Sequence, residues 1–163
     1  MPRSPWDDPK LGRVYTAIED SWQATRELRA LGPEATEYPS LWRRRYFAAI
    51  TLVRAVGHVL DRVESEKSEA HRKAIARSWN RIKSKKLFTE FIKPDRDSVL
   101  KTYSALTKLE ARVEPSETKV SLVVGSGEYE GEDAIGLIER ASELWEVETS
   151  RIETHIAELR GET

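Results

Sequence analysis

An all-α bundle of four to five helices, with a small β-hairpin before the last helix, is the fold this sequence predicts. Three observations carry it. Apolar residues recur at spacings of three and four through most of the chain, the mark of amphipathic helices. The eight Gly and seven Pro among 163 residues are few, and they gather between the periodic segments. One stretch, 119–124, alternates weakly and is β-branched, as a strand would be. The length fits a single domain, 1–163, large enough for a real core.

The first helix is predicted over about 10–31, with Asp8 as cap and Pro9 at its first position. Its stripe is Leu11, Val14, Tyr15, Ile18, Trp22 and Leu28, and Gly32-Pro33 ends it. A polar loop follows to Pro39. The second helix, about 41–66 behind Ser40, has the widest apolar face: Leu41, Tyr46, Ile50, Val53, Val56, Leu60 and Val63, with Leu52 and Val59 beside them. That width predicts a central helix. Gly57 lies in the same face at a cost of about 1 kcal/mol in helix propensity, which predicts a close approach by another backbone. His58, beside the stripe, reads as a packed, hydrogen-bonded histidine, because no second His or Asp is spaced to join it.

The third helix, about 68–86, carries Ala70, Ile75, Trp79 and Ile82 on its apolar side. Its other side is basic, from Arg72 to Lys86, with His71 read as an exposed member. Pro94 follows the apolar residues Leu87, Phe88, Phe91 and Ile92. It marks either a new helix or a kink in a long one. The run 95–112 is expected to be helical, with Val99, Leu100, Tyr103, Leu106, Leu109 and Val113 facing in. The hairpin is expected to pair 119–124 with a short return strand at 128–130 across Gly125-Ser126-Gly127. The last helix, about 132–160, is stopped by Gly161.

Composition excludes several classes. With no Cys, a disulfide framework and a thiolate zinc site are ruled out. No metal-spaced His pair, H-E-x-x-H or nucleophile elbow is present, and Gly-Ser-Gly lacks the Lys-Ser/Thr of a phosphate loop. No metal and no cofactor is expected. The first residues have no apolar signal-peptide core, and no run approaches a membrane span. A cytoplasmic protein with no membrane role is expected.

The net charge of -1 conceals an asymmetry. Residues 41–112 hold 18 Lys and Arg against 8 Asp and Glu, whereas 113–163 hold 4 against 13. A basic middle in an acidic frame is either a polyanion-binding face, or a surface that the acidic last helix or solvent neutralises. Arg43, Arg44, Arg45, Lys83, Lys85 and Lys86 are the candidate polyanion-binding residues, being near helix ends and lacking acids close by in sequence.

The chemistry-bearing stretch is F-I-K-P-D-R-D-S-V-L-K-T-Y, residues 91–103. Its pattern is Arg96-Asp97-x-x-x-Lys101-x-Tyr103. Together with W-N-R-I-K at 79–83 and L-F-T-E-F-I at 87–92, it resembles the HEPN superfamily of helical, often dimeric proteins. The resemblance runs from Leu41 to Tyr103, with weaker support from the last helix. Members carry Arg, a polar residue directly after it, and a His after four to six intervening residues; a subset with four adds a Tyr two residues later. Arg96, Asp97 and Tyr103 match, and Lys101 stands where His is expected.

That resemblance implies metal-independent RNA cleavage, with Arg96, Asp97, Lys101 and Tyr103 as the candidate catalytic set. A proton must move near neutral pH, which suits His with its pKa near 6.5 and not Lys with its pKa near 10.4. Lys101 is therefore expected to bind phosphate rather than shuttle protons. On an ideal helix residue 101 is turned about 140° from residue 96. Convergence of these groups then needs a second chain, so the resemblance implies a homodimer with 91–106 near its twofold.

The expected function is a catalytically degenerate HEPN-like protein that binds RNA or another polyanion or nucleotide, in a bacterial defence or toxin–antitoxin setting. The alternatives are a metal-independent RNase toxin and a structural bundle that binds a protein partner and no nucleic acid. Arg96, Asp97 and Lys101 could also be no more than surface ion pairs on one helix.

Overall fold

Pro39 begins the central helix of the protein. This computed structural model describes residues 11–162. Asp8, Pro9 and Trp6 lie outside the described residues. Six helices and one two-stranded hairpin make up the architecture among the described residues: α1 (Gly12–Arg29), α2 (Glu34–Glu37), α3 (Pro39–Arg62), α4 (Glu69–Ile82), α5 (Lys93–Thr102), β1 (Thr107–Val113), β2 (Thr118–Val124) and α6 (Ala134–Arg160). The four long helices α1, α3, α4 and α6 account for most of the core, and α1 packs along both α3 and α6.

The width of the α3 face has the expected consequence. Tyr46, Ile50, Val53, Val56 and Leu60 are all buried, and they meet Val14, Ile18 and Leu28 of α1 and Ile138, Trp145, Ile152 and Ile156 of α6 in one core. The Trp145 indole N–H donates to the Val53 carbonyl at 2.8 Å, tying α6 to α3. Ser21 and Ser142 meet at 3.0 Å and link α1 to α6.

Helix ends depart from the sequence reading by a few residues. Pro39 occupies the first turn of α3, where its missing N–H is no loss, and Ser40 makes no cap bond. The helix stops at Arg62, and a short 3-10 turn at Glu64–Glu66 replaces its expected last turn. Ser68 caps α4 by accepting the His71 N–H. Asp133 caps α6 through the Ile135 N–H at 3.1 Å, and Gly161 ends it.

Three expectations are corrected. His71 is fully buried rather than exposed; its Nδ1 sits 2.8 Å from the Ser68 hydroxyl, so the cap turns the ring inward. The helix expected over 95–112 ends at Thr102, and 107–113 is instead strand β1. Leu100, Tyr103, Leu106 and Val113 do not face inward as expected: they are exposed, Val113 by 81%. The hairpin is formed by β1 and β2, antiparallel, with Thr107 opposite Val124 and Val113 opposite Thr118. The 128–130 segment is not a strand. The chain beyond it returns to β2 at the bridge between Val123 and Asp133, where the Gly131 N–H donates to the Val124 carbonyl at 2.8 Å and the Val124 N–H to the Glu132 carbonyl at 3.0 Å.

Pro94 sits in the first turn of α5, and α5 continues the turn before it rather than starting apart from it. Residues Leu87–Ile92 form a π-helical turn that runs straight into α5. In it the Lys93 N–H reaches back five residues to the Phe88 carbonyl. Such widened turns accommodate a residue that the regular ladder cannot. This one buries Leu87, Phe88, Phe91 and Ile92 and so fixes where α5 leaves the core.

Candidate nucleic-acid interface

Asp95 anchors α5. Although it lies one residue after Pro94, in a first helical turn where acids are usually solvated, it is fully buried. One carboxylate oxygen accepts the Leu106 N–H at 2.6 Å. The other accepts the Tyr46 hydroxyl and, at 3.3 Å, the Thr107 hydroxyl; Tyr46 and Thr107 also meet at 2.8 Å. Burial pushes the Asp95 carboxyl above the usual range, and these hydrogen bonds pull it back. The network joins α3, α5 and β1, and thereby sets the face that the next residue presents.

That residue is Arg96. Its guanidinium pairs with Asp97 beside it and lies 3.3 Å from Nε2 of His58 on α3. A guanidinium can only donate. The His58 Nε2 must therefore accept, and the neutral ring carries its proton on Nδ1. Partial burial lowers the His58 pKa, and so do Arg54, Arg96 and Arg62, with Asp61 opposing them. Arg54, one turn before His58 on α3, lies 5.6 Å over the Trp79 ring. Burial and Arg96 lower its pKa, and Asp97 acts the other way.

Three nitrogen-rich side chains from two helices, Arg54, His58 and Arg96, thus converge beside one carboxylate. Gly57 makes this approach possible. A Cβ there would lie 2.7 Å from Trp79 and 2.9 Å from the Arg54 guanidinium. The close approach expected at Gly57 exists, but side chains make it rather than a second backbone.

The remaining motif residues stand apart. Lys101 is exposed near the end of α5 and makes no ion pair or hydrogen bond among the described residues. Tyr103 closes α5 in the left-handed conformation, with φ 53°, the sole non-glycine residue to do so among the described residues. Its ring meets Phe47 of α3 edge-on at 5.0 Å. The fold brings Arg96 and Asp97 together, and gives Arg96 a histidine from another helix in place of one at position 101.

The six candidate polyanion-binding residues divide into two groups. Arg43 and Arg44 are exposed at the start of α3, while Arg45 donates to the Glu27 carbonyl at 3.0 Å and helps end α1. Lys83 and Lys85 are exposed after α4 with no side-chain partner among the described residues, and Lys86 pairs with Glu128 at 2.7 Å. The acidic last third neutralises part of the basic middle, since Arg81 is held by Glu148 as Lys86 is by Glu128. A cleft of about 430 Å³ between α4 and α6 is lined by Arg77, Arg81 and Arg151, but the buried Glu148 already holds the last two. Among the described residues no group of three or more acids or histidines could hold a metal ion.

No family model, curated protein or solved structure matches the chain. The site therefore rests on its own geometry. Sequence reasoning placed Arg96 and Asp97 in it, but it missed Arg54, His58 and Asp95. Gly57 was the one available signal, because a glycine inside a core face announces that something comes close.

Proposed function

We propose that the chain is a HEPN-like cytoplasmic protein that binds single-stranded RNA by its phosphates without cleaving it efficiently. The observation that carries this reading is the hydrogen bond from Arg96 to His58 Nε2. It engages the one lone pair at the site that could take a proton near neutral pH. Beside it stand two guanidiniums, those of Arg54 and Arg96, against the single Asp97 carboxylate that pairs with Arg96, so the site keeps a net positive charge. Donors and positive charge recognise phosphate, whereas cleavage needs a free base as well. Lys101, exposed and unpartnered, supplies a further point charge.

A homodimer joined near α5 belongs to the same reading, and exposed apolar side chains there support it. Leu100 is 61% exposed and Tyr103 69%, and Leu106 lies just beyond them. Isologous twofold contacts are the commonest way to cover such a surface. A defence or toxin–antitoxin role would then be that of a binding partner rather than a nuclease.

Titration of labelled single-stranded RNA at two salt concentrations tests the proposal. Affinity is expected to fall as salt rises, because neutralised phosphates release counterions, and Arg96→Ala is expected to weaken binding. The labelled strand should remain intact in metal-free buffer. Rapid cleavage that Arg96→Ala abolishes would establish the RNase reading instead. An absence of binding at low salt would leave a structural or protein-binding bundle. Sedimentation as a monomer at high concentration would remove the dimer.

A further inference from the structure

β1 is an edge strand: among the described residues it pairs with β2 alone. Glu114 and Glu117 exchange both backbone hydrogen bonds across the turn of the hairpin, at 2.8 and 3.3 Å. Bonded and non-bonded pairs alternate along an antiparallel ladder. Arg112, Glu110 and Lys108 therefore turn their backbone groups toward β2, opposite Lys119, Ser121 and Val123. The Gly125 N–H, which donates to the Leu106 carbonyl at 2.8 Å, keeps the same alternation. Leu109, Ala111 and Val113 then point their N–H and C=O groups away from β2. None of these groups has a partner among the described residues, and Ala111 and Val113 are exposed. An open row of this kind is a template for another strand.

The side chains say which strand. Lys108, Glu110, Arg112 and Glu114 share one face of β1 and its end, with the sign of charge alternating along it; Leu109, Ala111 and Val113 share the other face. Set antiparallel about Ala111 against a second copy, the strand meets its own complement. Glu110 falls opposite the partner's Arg112, Lys108 opposite the partner's Glu114, and Leu109 opposite the partner's Val113. A twofold shifted by one residue, to Glu110 or to Arg112, would set like charges against each other, so the charges fix the register. A row of lysines would repel a second copy, and this row does not. Arg112 is the charge left over within the chain. It lies opposite Lys119, a like charge, and has no side-chain partner among the described residues. Lys119 is held by Glu114 at 2.8 Å. Glu110 is exposed and pairs with Lys108 at 3.1 Å, which leaves its carboxylate room for a second cation.

We infer that two copies of this chain join by pairing β1 with β1, antiparallel about Ala111, into one four-stranded sheet of order β2–β1–β1–β2. Leu109, Ala111 and Val113 exchange backbone hydrogen bonds with the same three residues of the second copy, and the twofold makes the Glu110–Arg112 ion pair twice. The inference rests on the homodimer proposed above. It places the twofold on β1, which follows α5 in the chain, rather than on the exposed side chains of α5 itself.

Sedimentation velocity over a dilution series tests it, with circular dichroism of each variant to confirm the fold. The wild type is expected to dimerise. Ala111→Pro removes an N–H that β2 does not use, at a place where an edge strand tolerates proline, and is expected to leave a folded monomer. Glu110→Arg and Arg112→Glu each set two like-charged pairs across the twofold, and each is expected to weaken the dimer about tenfold. The variant carrying both exchanges, and an equal mixture of the two single variants, bring opposite charges together again and are expected to recover wild-type association. A dimer undiminished by Glu110→Arg and Arg112→Glu would put the twofold elsewhere, overturning the inference and leaving the homodimer standing. Weakening by the single variants without recovery in the double variant or the mixture would overturn the pairing about Ala111. A wild type that stays monomeric at the highest concentration would overturn the homodimer and the inference together.

Discussion

Gly57→Ala is a substitution for which helix propensity and packing predict opposite signs. Propensity alone favours it: replacing Gly by Ala inside a helix stabilises by about 1 kcal/mol. The structure opposes it. The new methyl would stand 2.7 Å from Trp79 Cζ3 and 2.9 Å from Cη2, and the ring edge would have to withdraw by about 0.7 Å to reach the 3.4 Å of ordinary contact. The Arg54 guanidinium, also 2.9 Å away, can swing aside because it is the end of a flexible chain. The indole cannot swing in the same way, since it is stacked against Trp145, which is 1% exposed and bonded to the Val53 carbonyl. Overpacking of this kind costs about 1–3 kcal/mol. The net expectation is a loss of about 0–2 kcal/mol. For a chain of this length that lowers Tm by up to about 8 °C, at about 2–4 °C per kcal/mol. Displacement of Arg54 from Trp79 should also weaken RNA binding and alter tryptophan fluorescence. Thermal unfolding and RNA titration of the same preparation read both effects. A Tm raised by the full propensity gain, with binding unchanged, would refute the packing of Trp79 on Gly57 and the site built on it.

Asp95→Ala should cost about 2 kcal/mol in urea unfolding, because it removes the acceptor of the part-buried Leu106 N–H and leaves the buried Tyr46 and Thr107 hydroxyls only each other; a loss under about 0.5 kcal/mol would show that the network is not closed. Stability should fall as pH drops below about 6.5, the unperturbed value for His: burial first, then nearby cations, hold His58 and His71 below it, so the unfolded chain takes up protons first. That contribution is present above pH 6.5 and lost as pH falls toward the lowered folded values. His71→Gln should flatten the dependence measured between pH 7.5 and 5 by chemical unfolding, and an unchanged slope would exonerate the buried ring. Lys101→His restores R-D-x-x-x-H-x-Y and, under the HEPN-like reading, should raise metal-free cleavage of single-stranded RNA, a gain that Arg96→Ala removes. An inert Lys101→His protein that still binds RNA would mark a site that has lost more than one residue.

The helices were legible because each long one repeats its own apolar spacing. Val14, Ile18 and Leu28 on α1 and Ile50, Val53, Val56 and Leu60 on α3 are buried as periodicity requires. The failure at 107–113 has a physical cause. Leu106, Leu109 and Val113 fit a helical stripe, while Thr107, Leu109, Ala111 and Val113 fit a strand at period two. Both templates accept the segment, and pairing decides between them. β2 needs an antiparallel partner, and two residues, Pro115 and Ser116, between the paired turn residues Glu114 and Glu117 provide one upstream. The three residues at 128–130 are too short to compete. His71 was misplaced for a related reason: one cap bond from Ser68 decides which way the ring turns, and helical spacing holds no trace of it.

The Arg96 cluster was legible only where it is local. Arg96 and Asp97 adjoin in sequence, whereas His58 is thirty-eight residues from Arg96 and met it through tertiary packing. Asp95 shows how this happens. Between a proline and an arginine it reads as one more helix-start acid, yet its burial against Tyr46 and Thr107 fixes the rotation of α5 on α3. About 100° separates neighbours on a helix, so burying residue 95 turns residue 96 out along the α3 surface, toward His58. Residue 101 is turned about 140° from residue 96 by the same geometry, and Lys101 is left exposed with no contact to it. A histidine placed at 101 could therefore join Arg96 only across an interface, whereas His58 joins it within one chain. The helix that carries the motif was oriented by a residue outside the motif, and that orientation sets Arg96 beside the Asp97 carboxylate with the His58 Nε2 already engaged.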